Sequence, residues 1–225
     1  MQAAVAFFNP NSAKLLEGIR DTQYNTISSA ALAYLIGIPL GVLLVITSRD
    51  SIRPMKAFHA ILGWVINIGR SIPFIILMIA IIPFTRAIVG KYIGSTAAIV
   101  PLTIAAAPFI ARLVESSLRE LDFGIVEAAQ SMGATNWQII WKVLLPEAVP
   151  SLVRGFSIST ITLIGYSAMA GAIGAGGLGD IAIRFGYNRY QNDVMIVTII
   201  LLILIVQVIQ SLFNLLAKSI DRKNR

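Results

Sequence analysis

The sequence of 225 residues is poor in two residue types on which many catalytic and metal sites depend, cysteine and histidine. It contains no cysteine, which excludes disulfides and thiolate metal ligands, and its single histidine, His59, does not suffice for a histidine-based metal centre. Charged residues make up only 13%, about half of the roughly 25% typical of soluble domains, while 56% of the residues are hydrophobic. Together with a mean hydropathy of +0.79, this composition indicates a membrane protein.

Charge is missing above all from long continuous stretches. Four stretches contain no charged residue: 22–48, 92–111, 155–179 and 194–217. Each is long enough for a helix to cross about 30 Å of hydrocarbon, which takes about 20 residues. A fifth stretch is also apolar but carries His59 and, near its middle, Arg70.

We therefore predict an all-α, polytopic membrane protein with five transmembrane helices that form a single domain. The approximate spans are 22–48, 57–85, 92–111, 149–171 and 194–217, and the long loop between spans three and four is 112–148. The N-terminal residues MQAAVAFFNPNSAK lack the basic start, apolar core and cleavage site of a signal peptide. We expect the first span to be retained.

Carboxylates are absent from the predicted spans as well. All 11 Asp and Glu residues lie outside the charge-free stretches and outside the span that contains Arg70. A proton-driven transporter usually needs a titratable group at membrane depth, and only His59, near the edge of its span, is offered. The sequence also offers no Ser-His-Asp pattern, no paired acids in a pocket and no G-x-x-x-x-G-K-[ST] loop. We expect no catalysis by this chain, and uphill transport would take its energy from a partner.

The basic residues, in contrast, concentrate on one side of the predicted membrane. Most of the 18 Lys and Arg residues follow span one, lie between spans three and four, or come after residue 217. By the positive-inside rule, the N-terminus faces out, and the loop 112–148 and the C-terminus are cytoplasmic. Because these residues flank apolar spans and form no stripe with interleaved aromatics, we expect contact with lipid headgroups and no nucleic-acid binding.

Within the cytoplasmic loop, three charged residues have helical spacing. Arg112, Glu115 and Arg119 stand at positions i, i+3 and i+7. They can pair along one face if the third span continues as a helix beyond the membrane surface.

A glycine-rich stretch, GAIGAGGLGD at 171–180, contains the G-x-G-x-x-G spacing of a dinucleotide-binding fingerprint. Asp193 follows at about the distance of the acid that binds ribose in that fingerprint. The fingerprint requires a preceding strand, but here it ends a charge-free stretch whose length and small residues suit a membrane helix. We predict a tight external turn, with Asp180 as the first charged group beyond the span.

The centre of the loop reads EAAQSMGATNWQIIWKVLLPEA, residues 127–148. Ala128 and Ala129 are small residues in a helix-forming segment, Gly133 predicts a helix end, and an aromatic and aliphatic piece follows. A short helix followed by a glycine bend can form a knob that fits a groove of another protein. The alternative is an interfacial helix with Trp137 and Trp141 at the level of the lipid headgroups.

The same segment resembles the EAA motif, E-A-A-x3-G-x9-I-x-L-P, of the permease subunits of bacterial ABC importers. It departs from that motif only at Val143. The resemblance assigns coupling to an ATPase to Glu127, Ala128, Ala129, Gly133, Ala134, Leu145 and Pro146.

The stretches NIGRSIPFIIL, AAIVPLTIAAAPFIARLVE and LIGYSAMAGAIGAGGLG also resemble the methionine-uptake branch of these permeases. Betaine and phosphonate permeases share the GAGGLG-like stretch and remain the alternative, followed by an uncoupled channel and a membrane enzyme. The resemblance implies a homodimer in the bacterial inner membrane, ATPase subunits docked on the EAA loops, and an external lipid-anchored binding protein. It implies no cofactor on this chain, with ATP and Mg²⁺ held by the ATPase.

Four residues are candidates for the translocation path. Arg70 in a span costs about 2.5–3.5 kcal/mol on insertion scales, so it should face protein, water or carbonyls that Pro73 frees. A structural role and a path-lining role stay open for Arg70. Tyr166, Ser167 and Met169 lie in span four, whose polar residues serve either as packing contacts between helices or as the path lining. Met169 is the leading candidate for a gate because a flexible thioether can fill a narrow pore and move aside.

Overall fold

A computed structural model describes residues 2–49 and 51–220, so the basic residues beyond 220 lie outside the described ranges. In these ranges the chain forms α-helices joined by short turns, and no strand occurs. The α-helices are α1 (Gln2–Ile46), α2 (Lys56–Ser71), α3 (Phe74–Ala80), α4 (Ile82–Val89), α5 (Ser95–Arg119), α6 (Phe123–Ser131), α7 (Asn136–Ile139), α8 (Leu145–Ala170), α9 (Gly177–Ile181) and α10 (Asn192–Ile220). The all-α prediction is confirmed.

Four helical stretches are long and apolar enough to cross a membrane: Ala13–Ile46, Ser95–Arg119, Asn136–Ile173 and Asn192–Ile220. A fifth span is formed if α2 and α3, which meet at an angle of 99°, are counted as one broken helix. Pro73 stands at this break, and Ile72 before it is extended, because a proline disfavours helical geometry in the preceding residue. The stretch 57–85 is thus divided into three short helices.

Several helices extend beyond the charge-free stretches. Helix α1 begins at Gln2, well before residue 22, and α5 continues to Arg119, past residue 111. Charged residues mark the position at which a helix leaves the hydrocarbon layer. They do not end the helix, since charged residues are good helix formers. The stretch 112–148 contains the end of α5, the two short helices α6 and α7, a π-helical turn at Ile140–Leu144 and the start of α8.

Helices α1 and α5 form the centre of the fold. Gly37 and Gly41 of α1 face α5, where an added Cβ would lie 2.7 Å from the side chain of Ile110 and 2.6 Å from the carbonyl oxygen of Ala111. This G-x-x-x-G spacing brings the two backbones close together, as is typical of helix pairs in membranes. Ile110 and Ala111 are fully buried as a result.

Polar side chains join α1 to α8. The hydroxyl of Tyr34 donates to the carbonyl of Phe156 at 2.9 Å and lies 2.9 Å from Oγ of Ser159 and 2.6 Å from Oγ1 of Thr160. The Tyr34 and Phe156 rings also contact each other, with their centroids 4.5 Å apart. Ser159 and Thr160 are therefore packing contacts between helices, one of the two roles considered for the polar residues of span four.

The predicted pairing along α5 is confirmed. The guanidinium of Arg112 contacts Glu115 at 2.5 Å, and that of Arg119 contacts the other carboxylate oxygen at 2.8 Å. Arg112 also donates to the carbonyl of Gly63 at 3.1 Å and to Oδ1 of Asn67 at 2.8 Å. The cluster thus fastens α2 to α5 through Gly63 and Asn67.

Replacing Glu115 by Gln should destabilise the protein. The Glu115 carboxylate is buried, with 8% of its side chain exposed, and its loss leaves two guanidinium groups without their anion. Because the Arg119 side chain is 52% exposed and water screens its charge, we expect a cost of about 2 kcal/mol rather than the ~3–5 kcal/mol of a fully buried pair. The measurement is the midpoint of thermal unfolding of the purified protein. Glu17→Gln, at an exposed position of α1, is the control, and equal shifts for the two variants would contradict the prediction.

The glycine-rich stretch forms a hairpin behind α8. A single 3₁₀ turn, Gly171–Ile173, leads into Gly174 and Gly176, which have left-handed φ angles of 82° and 74°, and α9 then returns against α8. An added Cβ at Gly179 would lie 2.2 Å from the carbonyl oxygen of Ala168. The glycines serve a close backbone contact, and a helix precedes them where a nucleotide site would need a strand.

Candidate functional site

The loop centre is built from two short helices that meet at a glycine. Asp122 begins α6, where its carboxylate accepts the N–H of Gly124 at 2.9 Å. At the other end, the N–H of Gly133 donates to the carbonyl of Gln130 at 2.9 Å, and that of Ala134 donates to Ala129 at 3.1 Å. These two bonds form a Schellman motif, and its left-handed position is Gly133, with φ 79°.

The second helix is capped equally tightly. The Thr135 hydroxyl accepts the N–H of Gln138 at 3.4 Å, and the Gln138 side chain accepts the N–H of Thr135 at 2.9 Å. This capping box follows the S/T-x-x-E/Q pattern. The pattern is visible in the sequence, but it is not part of the EAA motif. Both helix ends are therefore fixed by local hydrogen bonds.

One face of this two-helix unit is anchored in the main core. Val126, Ala129, Ile139, Ile140 and Leu144 are buried there. The opposite face is exposed and apolar: Met132, Trp137 and Trp141 expose 81%, 68% and 54% of their surface. The two tryptophan rings contact each other, with their centroids 5.4 Å apart. We call these three exposed residues the Met-Trp surface. The arrangement is a knob with one side packed into the core and an exposed apolar outer side, the kind of surface at which proteins interact.

The residues singled out from the EAA motif divide between these two faces. Glu127, Ala128, Gly133 and Pro146 are exposed, Ala134 and Leu145 are half-buried, and Ala129 is buried. The motif residues therefore include both anchors and exposed positions. The motif specifies none of the three residues of the Met-Trp surface, since Met132, Trp137 and Trp141 all fall at its variable positions.

A second feature is a cleft at the break between α2 and α3. It has a volume of about 240 Å³ and is lined by Gly69, Arg70, Ile72, Phe74, Ala105, Phe109 and Tyr166. The Cζ of Arg70 lies 5.9 Å from the centroid of the Phe109 ring, and the Phe74 and Tyr166 rings stack with centroids 4.7 Å apart. Two of the four path candidates, Arg70 and Tyr166, are thus brought to one cleft.

The other two path candidates lie elsewhere on α8. Ser167 is buried, and its hydroxyl has no hydrogen-bond partner among the described residues. Met169 is 38% exposed and does not line the cleft. It shares a face with Ile158, Thr162 and Gly165, which follow one another at helical spacing, so this face of α8 points away from the rest of the chain.

The ionisable residues do not assemble a metal site in the described ranges, where no group of three His, Asp or Glu side chains could hold an ion. His59 is engaged in the fold, since its Nδ1 lies 3.0 Å from the carbonyl oxygen of Leu44. The geometry is that of a bundle of apolar helices long enough to cross a membrane, with an exposed two-helix unit at one end and a cleft between its helices. These are features of the membrane component of a transport system.

Comparison with known proteins agrees with this class. Residues 35–225 match the family described as binding-protein-dependent transport system inner membrane component. The chain belongs to this family of multi-pass inner-membrane proteins, and it is a transport component.

Individual relatives are similar over nearly the whole chain. A probable D-methionine transport system permease protein MetI of Vibrio cholerae is 52% identical over 217 residues, which cover 96% of each chain. The methionine import system permease protein MetP of Bacillus subtilis is 45% identical over 80% of this chain and 82% of its own. A solved structure of the MetNI methionine ABC transporter in inward-facing conformations aligns with a TM-score of 0.94 at 47% identity, covering 95% of this chain and 99% of that one.

Proposed function

We propose that this chain is the permease subunit of an ATP-driven importer of methionine. The observation that carries the proposal is similarity along almost the entire length to methionine permeases, 52% identity over 96% of both chains for one of them. The TM-score of 0.94 to a subunit of a methionine ABC transporter supports the same assignment.

Coupling to ATP hydrolysis is assigned to the two-helix unit and its Met-Trp surface. A partner groove that receives an apolar knob buries the tryptophan pair, the residue type that contributes most to binding at interfaces. Because the other side of the unit is packed into the core, a tilt imposed by the ATPase would pass directly to α5 and α8. Closure of the ATPase pair around ATP then switches the pore from inward-open to outward-open.

The assembly follows from this role. The chain forms a homodimer, binds cytoplasmic ATPase subunits through the two-helix unit, and receives methionine from an external binding lipoprotein. ATP and Mg²⁺ belong to the ATPase, and this chain itself catalyses no reaction. The distribution of Lys and Arg supports an orientation in the inner membrane with the N-terminus outside and the C-terminus in the cytoplasm.

Reconstitution tests the proposal. The chain is purified with its ATPase, inserted into liposomes and supplied with the binding protein, and uptake of labelled methionine is measured. We expect uptake that requires ATP and is competed by unlabelled methionine but not by excess betaine. Uptake without the ATPase would refute the coupling role, and competition by betaine alone would refute the substrate.

Met169 provides a narrower test. The Met169 side chain is partly exposed on the face of α8 that points away from the rest of the chain. A long side chain there can close a narrow path. Met169→Ala should increase leak of methionine through the reconstituted transporter, or raise ATP hydrolysis that is not accompanied by uptake. Ile158→Ala, on the same face about three turns away, is the matched control. An unchanged leak and an unchanged ATPase rate would exclude Met169 as a gate.

A further inference from the structure

The cleft at the α2–α3 break combines one cation with aromatic walls. Arg70 lies in the last turn of α2, and the 99° bend that follows brings Phe74 back against Tyr166 of α8. Phe109 of α5 supplies the ring that faces the guanidinium. Four helices therefore fix one charged group and three rings around a single space of about 240 Å³.

The charge of Arg70 is not neutralised by the walls of this cleft. None of the described residues that line it carries a carboxylate. The face of Phe109 stabilises a cation through its quadrupole but does not use the N–H donors of the guanidinium. Because Arg70 is exposed, these donors are accessible to a ligand in the cleft. A guanidinium presents its donors in a planar fork that matches the two oxygens of a carboxylate.

The remaining walls define the rest of the ligand. Ile72 and the half-buried Tyr166 ring, which stacks on the buried Phe74, offer apolar surface beside the guanidinium. The volume of the cleft lies below the roughly 300–1,000 Å³ of pockets for drug-sized molecules, so the ligand is small. A small molecule with a carboxylate at one end and an apolar chain at the other satisfies both parts of the cleft.

We propose that the Arg70 cleft is a binding site for a free amino acid within the membrane, with the substrate α-carboxylate on Arg70 and its side chain against Ile72 and Tyr166. This proposal rests on the proposed function, since methionine has both the carboxylate and an apolar side chain. It assigns Arg70 a role in substrate recognition. The position of Arg70 in a span did not by itself decide between a structural role and a path-lining role.

The absence of cysteine from the sequence makes a direct test possible. Ala105→Cys places a single thiol in the cleft wall, and the complete transporter is then treated with a small thiol-reactive reagent. Labelling of the permease is followed with increasing methionine, and in parallel with methioninol, which lacks the carboxylate. We expect methionine to slow the labelling and methioninol to leave it unchanged.

Arg70 is then varied in the same background. With Arg70→Gln, protection should require at least about tenfold more methionine, the expected result of losing a charge-assisted hydrogen-bonded pair. Arg70→Lys keeps the charge but not the fork and should give an intermediate shift. Arg86→Gln removes an exposed arginine outside the cleft and should protect like the parent.

Three results of the labelling experiment would contradict the site. Protection that methioninol gives equally well, protection that is unchanged by Arg70→Gln, or no protection at any methionine concentration would overturn the site. Uptake of methionine by the unsubstituted transporter is measured separately. If uptake is present and protection is absent, the site is wrong and the importer assignment stands. If protection is present and ATP-dependent uptake is absent, the importer assignment is wrong and the site stands.

Discussion

Gly133→Val should abolish ATP-dependent uptake while the permease still inserts into the membrane. Gly133 has a φ of 79°, in the left-handed region, where a β-branched residue is a genuine outlier. An ordinary L-residue costs about 1–2 kcal/mol there, so the Schellman motif opens and α7 is displaced relative to α6. Trp137 and Trp141 would then no longer fit the ATPase groove that we propose they enter. The measurements are uptake, ATPase activity and co-purification of the ATPase.

A second substitution at Gly133 separates the effect of the backbone conformation from the effect of side-chain size. A Cβ at Gly133 would have no heavy atom within 4 Å, so an added side chain is not excluded by space in this chain. Asn tolerates left-handed φ angles far better than Val, and Gly133→Asn should therefore retain most of the coupled uptake. Equal loss for Asn and Val would show that the partner contacts this position closely and that backbone geometry is not the cause.

Gly179→Ala should have the largest effect on folding. Its Cβ would lie 2.2 Å from the oxygen, 2.5 Å from the Cα and 2.7 Å from the carbonyl carbon of Ala168. All three are backbone atoms, so no side chain can turn away, and α9 must separate from α8. We expect a loss of about 3 kcal/mol or more, beyond an ordinary overpacked core position. The measurement is the yield of monodisperse protein and its unfolding midpoint.

The matched control is a glycine of α8, the helix against which Gly179 packs. At Gly155 of α8, an added Cβ would meet the Cβ of Leu113 at 3.6 Å, an ordinary van der Waals contact. Gly155→Ala should be neutral or slightly stabilising, because alanine favours a helix over glycine. If Gly179→Ala behaves in the same way, the hairpin does not pack against α8 as closely as described.

Features that lie within one segment of the chain could be predicted from the sequence. The charge-free stretches are sufficient to indicate helices and spans, because charge is costly in hydrocarbon and its absence over about 20 residues is a strong signal. The Arg112–Glu115–Arg119 pairing was also predictable, since i, i+3 and i+4 neighbours are fixed by helix geometry. These are all properties of one segment of chain.

Features that depend on two or more segments were not predictable in this way. Pro73 indicates a break, but not an angle of 99° or the cleft that results when Phe74 meets Tyr166. Tyr34 carries no local signal that it contacts Ser159 and Thr160, more than 120 residues away. The EAA motif located the two-helix unit, whereas the exposure of Met132 follows from which side of the unit packs into the core.

The hairpin that follows α8 is also tied to the first helix. The N–H of Leu178 donates to Oγ1 of Thr22 at 2.9 Å, and the side chain of Asn25 donates to the carbonyl of Ala175 at 3.4 Å. Both α1 residues precede residue 35, where the family match begins. The early part of α1 therefore holds the hairpin in place at this end of the bundle. An opening between α8 and its neighbours at the hairpin end would therefore have to break these two hydrogen bonds or move α1 together with the hairpin.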